Sequence, residues 1–137
     1  MTPRRLRRAA AIAVLVVSGC GTTPGTDGLR ESFAEQLAAN RYVSGVEREG
    51  DEFTFSGPGA EGGTATWRVH IDALLVEAQD DPMYSYKGTV RSSWYSDGQL
   101  VEPAGRESNL PVPLIDNGLS QDCWALWNAE SNRWEWE

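Results

Sequence analysis

The stretch YSYKGTVRSSWYSDGQLV, residues 84–101, decides the fold. Tyr84, Tyr86, Val90 and Trp94 fall on alternate positions, with mostly polar side chains between them. A period of two places such a set on one face of a long β-strand. Asp97-Gly98 then offers two residues that tolerate positive φ, as a tight two-residue hairpin turn requires. A turn centred there sets Tyr95 opposite Leu100 and Trp94 opposite Val101.

Toward the N-terminus the same period recurs. Phe53 and Phe55 alternate with polar residues. Trp67, Val69 and Ile71 alternate with Thr66, Arg68, His70 and Asp72. The glycine-rich stretch Gly57 to Gly63 between them reads as a loose hairpin loop. Ala73 to Ala78 extends the second strand or forms a short helical turn, and Asp80-Asp81-Pro82 ends it. Toward the C-terminus, Pro103 to Gly118 holds three prolines. It reads as a loop with a short extended piece at Val112 to Ile115. A last hairpin, Gln121 to Trp127 and Arg133 to Trp136, turns near Glu130-Ser131. Its register pairs Trp127 with Trp134 and Ala125 with Trp136.

One helix precedes all of this. Leu29 to Asn40, LRESFAEQLAAN, carries Leu29, Phe33 and Leu37 at i, i+4 and i+8, with Ala34 and Ala38 beside them. That spacing makes one apolar stripe. Asp27 is the expected N-cap, and Asn40 ends the helix. A helix followed by an antiparallel meander is an α+β plan: one N-terminal helix packs on a curved antiparallel β-sheet of about five to six strands. The order of elements loosely resembles that of cystatin-like and NTF2-like domains, with no shared motif behind the likeness.

The first twenty residues have a different character. Met1 to Arg8 holds four arginines and no acid, and Ala9 to Val17 is an unbroken apolar run of nine residues. Ser18 and Gly19 are small. This is the order of a secretory signal, and the apolar run is far short of the roughly 20 residues that span a bilayer. Val17-Ser18-Gly19-Cys20 resembles the lipobox of bacterial lipoproteins. That resemblance implies a signal over 1–19, cleavage between Gly19 and Cys20, and a diacylglyceryl thioether on Cys20. Membrane lipid is then a partner through acylated Cys20, and the location is the extracytoplasmic face of a cell membrane. Arg4-Arg5 hints at twin-arginine export, although Arg7 and Arg8 interrupt that pattern. Gly21 to Gly28 lacks apolar residues, so residues 20–28 read as a lipidated tether and 29–137 as a single domain.

All twenty acids follow residue 19, against eight of the twelve basic residues, so the mature part carries a formal −12. Such a chain lacks the basic footprint that nucleic-acid binding needs.

Catalytic signatures are sparse. With Cys20 lipidated, Cys123 has no internal disulfide partner and reads as a buried thiol in a strand or, less plainly, as a reactive one. His70, the only histidine, points with Arg68 and Asp72 to the polar face of its strand, and a zinc site would want further His or Cys ligands. Ser56 lacks the first glycine of a nucleophile elbow. Asp80-Asp81 fits a turn better than a calcium loop. The expectation is no catalytic residue, no metal and no cofactor.

Six tryptophans stand out, four of them in the last fourteen residues. Trp127, Trp134 and Trp136 share one side of the final hairpin and Trp124 faces the other. The first three form the candidate contact surface, for a sugar, a peptide or an envelope protein. The favoured function is a non-catalytic binding or accessory domain. The alternatives are a partner-docking or inhibitory lipoprotein acting through that hairpin, and a small hydrolase using two carboxylates.

Overall fold

A computed structural model describes residues 23–103 and 108–137. The signal, the cleavage site and Cys20 lie outside the described residues. Among those described, no helix is long and apolar enough to cross a membrane.

The architecture is α+β, a helix laid on a curled antiparallel sheet. In chain order the elements are α1 (Thr26–Ala39), β1 (Ser44–Glu49), β2 (Glu52–Pro58), β3 (Thr64–Ala78), β4 (Tyr84–Ser96), β5 (Gln99–Leu100), α2 (Val112–Ile115), β6 (Asp122–Asn128) and β7 (Arg133–Trp136). The strand order is β1-β2-β3-β4-β6-β7, with β5 also pairing with β4. The sheet thus has seven strands where five to six were expected. The addition is the edge strand β1; the two-residue β5 is the expected return of the Asp97-Gly98 hairpin. In β1 only Val46 is half-buried, and the register slips between Ser44 and Glu47, next to Gly45 at φ 65°. An edge strand so polar has no alternation to read.

The central hairpins follow the expected registers. Tyr95 faces Leu100, with Asp97 and Gly98 at φ 49° and 84° in the turn. Trp127 faces Trp134 and Ala125 faces Trp136. Residues 73–78 continue β3 as strand, after a bulge between Ile71 and Ala73. The extra residue changes the parity: Trp67, Val69 and Ile71 are buried before it, and Leu74 and Val76 pack against the core after it.

Two sequence expectations are corrected. Gly25, not Asp27, caps α1, which begins at Thr26 and so takes residues 26–28 from the expected tether. Asp27 instead lies in the first turn, paired with Arg30 at 2.7 Å, where a carboxylate suits the helix dipole. Val112–Ile115 is a helical turn and not an extended piece. Pro113 sits in its first positions, where a missing N–H costs nothing, and the turn drives Leu114 into the core.

Helix and sheet meet along Leu29, Phe33 and Leu37, all buried. Leu29 crosses β4 at Gly88, where a Cβ would fall 2.7 and 2.9 Å from its two methyls and 3.0 Å from Trp134 Cη2. The absent side chain is what lets the helix approach. At the other end, Asn40 is buried and donates through Nδ2 to the carbonyls of Pro113 and Leu114, while Oδ1 accepts the Tyr42 N–H at 2.8 Å. Gln36 and Asn117 exchange side chain–backbone bonds at 3.0 and 2.6 Å. Phe55, Trp67 and Trp94 stack and cross under the far end of the sheet with centroids 6.0–6.4 Å apart.

Candidate functional site

The helix covers the concave face of the sheet, and the C-terminal hairpin lies at one margin of that cover. Trp136 packs edge-on against Phe33 with centroids 5.9 Å apart, and its Nε1 donates to Ser32 Oγ at 3.0 Å. Trp134 is 8% exposed and meets Trp127 edge-on at 5.3 Å. Trp127 itself is half-buried. The three tryptophans of the candidate contact surface therefore do share one face. Trp134 and Trp136 both pack toward the helix, while Trp127, half-buried like Trp136, keeps an open side.

That open side borders a groove of about 420 Å³ between α1 and the β6–β7 hairpin. Such a volume lies in the range of small-ligand clefts. Trp127, Trp134, Asn132 and Arg133 form one wall, and Glu31, Ser32, Glu35 and Gln36 of α1 the other. Thr23 and Pro24, the first described residues, close one end. Pro24 is buried, so the chain is already packed on the domain four residues after Cys20. Glu31 is engaged by Arg48 at 2.9 Å. Among the described residues, Glu35 and Arg133 have no ion-pair partner; Arg133 alternates with Trp134 along β7, so its side chain leaves from the other face of the hairpin and Glu35 is the unpaired charge on the helical wall. The Trp134 Nε1–H is buried without an acceptor among the described residues. It is a donor whose desolvation is uncompensated.

Sequence reasoning found the indoles and missed the helical wall. Glu31, Ser32, Glu35 and Gln36 lie off the apolar stripe of Leu29, Phe33 and Leu37, and nothing in their spacing marks them as a wall. Which flank of that helix lies beside the hairpin depends on the docking angle set at Gly88.

The remaining candidates lie elsewhere. Cys123 is buried, and burial pushes its thiol up to about 11, the opposite of an activated nucleophile. His70 lies on the convex face. Asp72 accepts from both His70 Nδ1, at 2.9 Å, and Ser93 Oγ, at 2.6 Å. A hydrolytic triad needs the imidazole between the serine and the acid; here the acid is in the middle, so the serine proton faces a carboxylate and not a base. Burial works against the ionised Asp72, yet the bonds from Ser93 and His70 together hold its carboxyl below the usual range. Asp81 accepts the backbone N–H groups of Tyr84 and Met83 and shapes the β3–β4 turn. Among the described residues, no group of three or more His, Cys, Asp or Glu side chains is placed to hold a metal ion. Trp124 is 39% exposed on the convex face, with Lys87 Nζ 5.0 Å from its ring centroid.

Comparison with protein families, with curated proteins and with solved structures finds no match.

Proposed function

We propose that this chain is a lipid-anchored, non-catalytic binding domain of the cell envelope, and that the groove between α1 and the β6–β7 hairpin is its ligand seat. The observation that carries the reading is the groove's composition. The half-buried indole of Trp127, the buried Trp134 N–H that lacks an acceptor among the described residues, and the Glu35 carboxylate, which has no ion-pair partner among them, line one groove. Apolar contact area with a few convergent polar groups is the general character of a binding cleft. The lipobox resemblance at Val17 to Cys20 supplies the anchor and the compartment. The likeness of element order to cystatin-like and NTF2-like domains is architectural and brings no ligand with it.

Two measurements test the two halves. Cys20→Ser expressed in a bacterial host is expected to accumulate as an uncleaved, unlipidated precursor; processing and membrane retention equal to wild type would sink the anchor. For the groove, a photo-crosslinking residue is placed at Glu35 in living cells, with Ser56 on the convex face as control. Adducts from position 35 that disappear with Trp127→Ala are the expected result. Equal adducts from both positions would remove the groove from the account.

A further inference from the structure

We propose that the domain stands on the membrane with one end of its sheet, the end bearing the β3–β4 and β6–β7 turns, set against the lipid surface. This rests on the lipid-anchor reading of Cys20. Four Cα–Cα steps separate Cys20 from Pro24, and a fully extended chain of that length reaches at most about 14 Å. Pro24 is buried against the domain, so the slack is only that short. Where composition suggested an eight-residue leash, the burial of Pro24 leaves a four-step link that holds this end of the body within that reach of the lipid.

The position of Pro24 then decides which end is held. Pro24 shares its groove with Asn132 and Arg133 of the β6–β7 turn. That turn lies beside the β3–β4 turn, because Tyr84 pairs with Asn128 and the Ala129 N–H donates to the Met83 carbonyl at 2.8 Å. Met83 is 52% exposed there, an apolar side chain where headgroups would meet the protein. The opposite end carries the Gly59 to Gly63 loop and the Asp97-Gly98 turn, which border a common hollow. The two ends are joined by the thirteen residues of β4. At about 3.3 Å per residue that strand is on the order of 40 Å long, nearly three times the reach of the link to Cys20. The far end therefore projects away from the bilayer, and the groove opens at headgroup level.

The test uses the full chain, processed and lipidated in a bacterial host and reconstituted into phosphatidylcholine vesicles containing a headgroup-nitroxide phospholipid. A fluorophore is placed on Glu130→Cys, in the near turn, or on Glu61→Cys, in the far loop. Cys20 is blocked by its lipid and Cys123 is buried, so each variant has one reactive thiol. Strong quenching at position 130 and at least several-fold weaker quenching at 61 is the expected outcome. Equal quenching at both sites means that the body lies flat or tumbles, and overturns the orientation. Intact mass settles the premise separately: a wild-type chain without diacylglyceryl on Cys20 overturns the anchor and the orientation together.

Discussion

Gly88→Ala probes the contact on which the helix–sheet packing depends. The new methyl would sit 2.7 and 2.9 Å from the Leu29 methyls and 3.0 Å from Trp134 Cη2. Real carbon contacts are optimal nearer 3.5–4.0 Å, so something must move. Leu29 is fully buried, so in a close-packed interior its side chain gives way only by displacing neighbours. Overpacking of this kind costs about 1–3 kcal/mol. Against it stands the gain from replacing a strand glycine, about 0.5–1 kcal/mol in favour of alanine. The net expectation is a loss of up to about 2.5 kcal/mol, or up to roughly 10 °C in Tm for a domain of this size. Leu29→Ala alone should cost about 2–5 kcal/mol through the cavity it opens. The double variant should cost less than the two losses added, with a coupling of about 1 kcal/mol or more, because the new methyl occupies the space that Leu29 vacates. Urea unfolding of the four proteins measures this cycle. Strict additivity of Gly88→Ala with Leu29→Ala would refute the claim that the missing Cβ sets the approach of α1.

Three further outcomes follow from single contacts. Asn40→Ala strips two carbonyls of their donor and the Tyr42 N–H of its acceptor, so a loss of about 1–3 kcal/mol is expected in urea unfolding; Asn40→Asp should rescue little, since a carboxylate donates to neither carbonyl. Native Cys123 should resist a thiol reagent at pH 8 and react on denaturation. Because its folded value is raised to about 11, its contribution to stability should fall as pH climbs above the unfolded thiol's value toward that point, a slope that Cys123→Ala removes. Asp81 is held below the usual carboxylate range by the backbone N–H groups of Tyr84 and Met83, so its contribution is present above the unfolded value near pH 4 and is lost as pH falls through the lower folded one. Asp81→Asn should flatten that part of an acid titration followed by urea midpoint, and an unchanged acid limb would count against the turn's dependence on this carboxylate.

Local periodicity determined much of this protein without tertiary help. Alternation at Trp67, Val69 and Ile71, the positive-φ pair Asp97-Gly98, and the facing tryptophans of the last hairpin are statements about neighbours in the chain or across one turn. Backbone geometry converts them directly into strands, registers and faces. The helical stripe of Leu29, Phe33 and Leu37 is local in the same sense. The tertiary structure alone decided what depends on distant groups meeting. Pro113 turns helical because Leu114 has a core to enter, and β1 forms because β2 offers it an edge. The groove exists because Gly88 lets α1 lie close enough to place Glu35 beside Trp127, residues ninety-two apart in the chain. No window of sequence contains both walls of that cleft, since its shape is set by a docking angle and a missing side chain on a third element.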